Sequence, residues 1–249
     1  MDTELSQSLA SLQEATSRVV TAAAALDDAA MRAPSRLPGW SRGHVLTHLA
    51  RNADGLANLL RWARTGTETP MYASAQARDA DIEAGAGRPA AELTADLAAS
   101  AAAFAAQAAD LPGDAWTAQV RLLRGPALPA RRVPAIRLFE LEIHHVDLGT
   151  GYGPGDWPAD FVAASLPWVA GVFAEREDTP VCRLHPDGRD TWLMIGAGEP
   201  AAAPVGVHGP PADLLAWLLS RGDGTGLRVS GDDHTLPVLP AWRLPARRG

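Results

Sequence analysis

Up to Gly149 the chain offers four stretches of helical periodicity divided by proline and glycine; beyond it the apolar runs shorten to the length of strands. This change of period constrains the fold more than any other feature. A long amphipathic stretch from Thr3 to Met31 sets Leu5, Leu9, Leu12, Val19 and Val20 near helical spacing. Leu37-Pro38-Gly39 is a turn, and Ser41 suits the N-cap of a second helix reaching about Thr65. Gly66 to Gly87 is polar and mixed, and is expected to be a loop with a short helical piece. A third, alanine-rich helix is expected from Pro89 to Leu111, and a connector with Gly125, Pro126 and Pro129 follows. Pro134 opens a fourth helix that Gly149 closes.

Gly149 to Pro158 reads as a hinge. After it come a helix (Ala159 to Glu177, with Pro167 inside) and strand-like runs at Val181–Leu184, Thr191–Ile195, Pro204–Val207 and Leu227–Ser230. Between the third and fourth runs lies a helix, Pro211 to Ser220, with Leu214, Leu215, Trp217 and Leu218 on its apolar face. The expected architecture is α+β: a four-helix bundle over 1–150 and a small α/β domain over 151–249.

Composition removes several function classes. The net charge of -7 argues against a nucleic-acid partner. All 22 basic residues are arginine, so neither a Schiff-base lysine nor a phosphate-loop lysine exists. Cys182 is the single cysteine, which excludes an intrachain disulfide and a cysteine-based zinc site; in a strand it reads as a small core residue. The N-terminus is acidic and lacks a basic leader, and no apolar run nears the ~20 residues of a membrane span. The expectation is a soluble, cytoplasmic monomer.

Chemistry concentrates in two segments. His44 and His48 stand four apart in the second helix, and Glu140 and His144 stand four apart in the fourth. Residues so spaced share a helix face. One histidine from the second helix would complete two imidazoles and one carboxylate, a set that leaves a coordination position open, as catalytic zinc sites do. Spacing alone leaves open which of His44 and His48 serves, and whether they are surface histidines instead. The ligand types suit zinc, nickel, cobalt, manganese or iron. His145 lies about 100° round the helix from His144. Asp147, three residues past His144, could orient a ligand. His185, His208 and His234 share no spacing and read as structural or surface residues.

The run Gly39-Trp-Ser-Arg-Gly-His-Val-Leu-Thr-His-Leu-Ala-Arg-Asn-Ala-Asp54, with Arg137-Leu-Phe-Glu-Leu-Glu-Ile-His-His-Val-Asp-Leu148, resembles the mycothiol-dependent maleylpyruvate isomerase family of DinB-like metal-binding bundles. The likeness extends over nearly the whole chain. It implies a DinB-like four-helix bundle followed by a small C-terminal α/β domain. It assigns the metal, a divalent ion taken as Zn2+, to His48, Glu140 and His144, which makes His44 a first-turn residue. It also implies mycothiol as thiol cosubstrate and a small-molecule acid as substrate, in aromatic ring catabolism.

The implied reaction is a cis–trans isomerisation. A metal-bound thiolate adds to the cis double bond of a maleylpyruvate-type acid, the adduct rotates, and expulsion of the thiol leaves the fumarylpyruvate-type product. Such a site must hold two carboxylates and an enolate. Arg221, after the Leu/Trp-rich helix, resembles the family's C-terminal arginine and is the candidate catalytic guanidinium; the alternative is a helix-capping role. Arg137 and Asn52 are candidate substrate-binding residues, each about one turn from a proposed ligand. Trp40 is expected to pack at the helix start. Two other functions fit the same scaffold: a mycothiol S-transferase acting on another electrophile, and a non-catalytic metal or small-molecule binding protein. Two positive groups beside the metal would favour the isomerase, and an apolar pocket the transferase.

Overall fold

The structure is a computed structural model that describes residues 3–198, 205–230 and 235–242. The chain divides into two compact units between Gly151 and Tyr152. The fold class is α+β, a helix-rich N-terminal region followed by a small sheet-containing domain.

In the first unit the helices are α1 (Thr3–Ala24), α2 (Asp28–Arg32), α3 (Arg42–Thr65), α4 (Ala75–Ala86), α5 (Ala90–Ala109) and α6 (Val133–Leu148). α3 packs on α5 and α6, and α1 packs on the same two, so these four close a ring around one core. Leu46, Leu49, Leu56, Leu59 and Leu60 put the apolar face of α3 in that core with no exposure. Each such leucine stabilises the fold by about 1.5–3 kcal/mol relative to an exposed one.

Three local expectations change. The stretch Thr3–Met31 is two helices, because the Asp27 carboxylate accepts from the Ala30 amide and starts a new helix there. The helical piece expected within Gly66–Gly87 is present but longer, the 12-residue α4, started by Ser74. Its polar face conceals its extent in the sequence; what holds it is contact with α3. A Cβ on Gly85 would collide with Thr47, and one on Gly43 with the Ala86 carbonyl, so both glycines permit the close approach. The connector at 125–129 lies in a small hairpin, β1 (Gln119–Arg121) paired with β2 (Ala127–Pro129).

The relative height of α3 and α6 is fixed at one end. Gly149 closes α6 in the left-handed conformation, φ 65°. Arg42, at the start of α3, donates from Nε to the Leu148 carbonyl and from Nη1 to that of Ala30. The Arg36 amide donates to the Asp147 carbonyl. These bonds satisfy the last carbonyls of α6 and set which turns of the two helices face each other.

The second unit holds α7 (Ala159–Ala174), β3 (Cys182–Pro186), β4 (Leu193–Ile195), β5 (Val205–Gly209), α8 (Pro211–Leu218) and β6 (Arg228–Ser230). Strand order is β4-β3-β5-β6, with β3 and β5 parallel and the outer pairs antiparallel. α7 ends three residues before Glu177 and continues through Pro167. Pro204 and His234, expected in a strand and as a surface or structural residue, lie outside the described residues. Among the described residues, no helix is long and apolar enough to cross a membrane.

Candidate metal centre

Ser41 starts α3: its hydroxyl accepts from the His44 amide, and His44 Nδ1 accepts from the Ser41 amide. His44 therefore works as a cap, and its Nε2 meets Glu83 at 3.2 Å. One turn later His48 points into the bundle, where it is 4% exposed. α6 presents Glu140 and His144 to it. His48 Nε2 lies 3.0 Å from Glu140 Oε2 and 3.1 Å from His144 Nε2, and His144 Nε2 lies 3.5 Å from Glu140 Oε2. These three are the one group of metal-competent donors among the described residues.

Three donors at ~2.0–2.1 Å from a tetrahedral ion stand roughly 3.4 Å apart. The donor spacing fits an ion without rearrangement of α3 or α6, and two nitrogens with one carboxylate oxygen fit zinc. Asp147 Oδ2 receives His144 Nδ1 at 2.8 Å, which leaves His144 Nε2 with its lone pair toward the centre. Burial pushes Glu140 up, but hydrogen bonds from His144 and His48 outweigh it and hold the carboxyl well below its usual range. Burial, then the neighbouring His144, draw His48 down to about 4. Burial also lowers His144, yet its bonds to Asp147 and Glu140 prevail and raise it. A buried neutral imidazole beside an ionised carboxylate is the protonation state a metal needs.

Arg78 and Tyr72 are residues that reading the sequence missed. Arg78 Nη2 approaches His48 Nδ1 at 3.2 Å. Tyr72 bonds Arg78, and burial, followed by the charge of Glu140, pushes its hydroxyl up to about 12. A guanidinium only donates, so this contact requires His48 to accept at Nδ1 and carry its proton on Nε2. Ligation through Nε2 requires the opposite tautomer. Metal binding and the Arg78–His48 contact therefore exclude each other, and the ion would release Arg78. No local motif marks Arg78; the packing of α4 on α3 brings it here.

The structure joins Asn52 and Arg137 to each other. Asn52 sits one turn beyond His48 and Arg137 one turn before Glu140, and Arg137 Nη1 donates to Asn52 Oδ1 at 2.8 Å. Both are buried, and burial brings Arg137 down to about 10. Trp40 packs on His44, with ring centroids 6.0 Å apart. Buried His145 lies outside the donor group. In the second unit Arg221 follows α8 after Ser220, which has φ 59°. Its amide donates to the Ala216 carbonyl and its Nη1 to that of Leu219. His185 and His208, without sequence spacing, stack at 4.3 Å through the parallel register of β3 and β5.

Residues 12–149 match the family described as the mycothiol maleylpyruvate isomerase N-terminal domain, and residues 156–237 match the C-terminal domain of the same family. A crystal structure of the mycothiol-dependent maleylpyruvate isomerase is similar at TM-score 0.89 and 28% identity, over 96% of this chain and 97% of that one. A histidine-to-alanine mutant of that enzyme is similar at TM-score 0.88, with the same identity and coverage. No curated protein matches the sequence.

Proposed function

The chain belongs to the mycothiol maleylpyruvate isomerase family, and from that premise we propose that it catalyses thiol-dependent cis–trans isomerisation of a maleylpyruvate-type acid. The observation that carries this reading is the His48–Glu140–His144 donor set with the guanidinium of Arg78 against it. We assign the ligand roles to those three residues and the metal to zinc. The ion supplies an open Lewis-acid position that favours a bound thiol as thiolate, the nucleophilic form.

This chain's own residues do the rest. Glu140 enters the reaction ionised, and Asp147 holds the His144 ring by its Nδ1 proton. Arg78, freed from His48 when the ion is present, binds one substrate carboxylate in bidentate fashion. Arg137 adds positive charge beneath the site, and Asn52 fixes its orientation. Sulfur adds to one carbon of the cis double bond and the electron pair moves to the neighbouring keto oxygen as an enolate. The former double bond is then single and rotates. Collapse of the enolate restores the carbon–carbon double bond in trans and expels the same thiolate, so no oxidant and no net proton is needed. Arg221 is proposed to stabilise the enolate. Two guanidinium groups near the donors favour this reaction over conjugation of the thiol to an apolar electrophile. The proposal extends to a monomeric cytoplasmic enzyme of aromatic-acid breakdown.

The test is an absorbance assay of maleylpyruvate conversion by metal-analysed protein, with and without mycothiol. Turnover that requires the thiol and stops on chelation is expected. Stoichiometric metal without turnover, together with mycothiol conjugation of a model electrophile, would replace the isomerase with the transferase.

A further inference from the structure

A groove of about 770 Å³ opens between α1 and α5, within the size range of small-molecule sites. It spans Leu9 to Thr21 on α1, a rise of roughly 18 Å along the helix. α5 lines it with small side chains, among them Ala98, Ala101 and Ala105, where larger residues would fill the space. The chain continues this wall into the bundle as far as α6, where the lining includes Arg137, its one charged residue.

Arg137 is 1% exposed. Its Nη1 is committed to Asn52, while Nη2 is buried and has no hydrogen-bond partner. The nearby charges that favour its cationic form, Glu140, Tyr72 and Asp54, make no hydrogen bond with it. A buried guanidinium nitrogen without an acceptor is strongly unfavourable unless something supplies one. The α5 side of the groove is apolar, α1 adds Gln13, Thr16, Ser17 and Thr21 beside Leu9, Leu12 and Val20, and Arg137 brings it positive charge and an unpartnered donor. We propose that the α1–α5 groove binds an amphipathic monocarboxylate, its hydrocarbon tail along the alanine face of α5 and its carboxylate accepting from Arg137 Nη2. This site is separate from the substrate position proposed at Arg78 and the metal donors, and its ligand is a fatty-acid-like molecule rather than a keto diacid.

The geometry explains two features that the isomerase reading leaves aside. One is a groove of this length whose α5 side is largely alanine. The other is the division of Arg137 into a nitrogen held by Asn52 and a nitrogen held by nothing. Because the same guanidinium touches Asn52, one turn from His48, a ligand here would also alter the charge beneath the metal centre.

Calorimetric titration of the metal-loaded full chain with decanoate and with decan-1-ol tests the site. Decanoate is expected to bind one to one, and the alcohol at least about tenfold more weakly, the effect of a charge-assisted hydrogen bond. Ala105→Phe, which fills the groove from its rim, should abolish decanoate binding and leave metal content and turnover unchanged. Arg137→Met should remove the preference for acid over alcohol; if that variant does not fold, the alcohol comparison and Ala105→Phe still decide. Absent binding, equal affinity for acid and alcohol, or decanoate binding that survives Ala105→Phe overturns the proposal. So does a dimer in sedimentation that Ala105→Phe dissociates, since the groove would then be a self-association surface.

Discussion

The two units bury different kinds of side chain. In the first, α3 and α6 carry buried His48, Arg137, Glu142, His145 and Asp147. In the second, the buried polar residues among those described are Ser165 and Thr179, and the buried ionisable group is the Cys182 thiol. A hydrocarbon core with a few hydroxyls is enough to hold a unit of that size. Buried charges add little net stability, because desolvation offsets most of their attraction. Their concentration on two facing helices therefore marks where the molecule performs chemistry. The second unit's core is ordinary packing by the same measure.

The strongest way to break the comparison is to remove a donor. His48→Ala is expected to weaken metal binding by more than about a hundredfold, beyond the loss typical of outer partners, and to abolish turnover. His44→Ala should keep the metal and lose only about 1 kcal/mol from the α3 cap. Metal analysis of both variants checks this, and stoichiometric metal in the first would sink the ligand assignment.

Next is the half-buried Arg18–Glu142 ion pair, whose carboxylate is 1% exposed. Glu142→Ala leaves Arg18 partly buried without its partner and should destabilise by about 3 kcal/mol, against about 1 kcal/mol for Ser165→Ala in the second unit. Chemical denaturation of the two variants measures the difference. Equal losses would mean that buried charge is not special to the first unit.

A pH series sharpens the contrast further. His48 is drawn from 6.5 to about 4 by burial, so between those values the unfolded chain binds a proton that the folded one does not. Metal-free protein should therefore lose stability as pH falls from 6.5 toward 4. His144, raised in the folded state, is protonated in both states there and does not oppose this. His48→Ala should flatten the dependence; a melting profile as steep as the parent's would contradict it.

The smallest effect belongs to Cys182. Burial pushes its thiol up to about 12, so it should resist iodoacetamide at mildly alkaline pH until the protein unfolds. Cys182→Ala should leave turnover unchanged. Rapid alkylation of the native protein would show that the second unit's core opens readily.

Local sequence was informative where a side chain's role depends on its own helix. Ser41 as a cap, Gly149 as a terminator and the shared face of Glu140 and His144 follow from spacing and backbone preference. The family likeness added the choice of His48 over His44, and the structure supplies a reason, since His44 is occupied at the cap. Failures came where contact overrules composition. α4, expected as a short piece, has no apolar stripe to give its full length, and the break at Asp27 hides inside a continuous helical pattern.

By itself, then, the sequence determined the helix-then-strand order, the ends of α3 and α6, and donors placed one turn apart on each, because these depend on interactions within a few residues. Tertiary structure alone decided which turns of α3 and α6 face each other, through Arg42 and Arg36 at the end of α6. It also decided that Arg78 would meet His48, that Arg137 would be buried with one nitrogen unanswered, and that α1 and α5 would leave a groove between them. Those outcomes depend on packing between segments up to about a hundred residues apart, where no local preference reaches and only the fit of whole surfaces selects the partner.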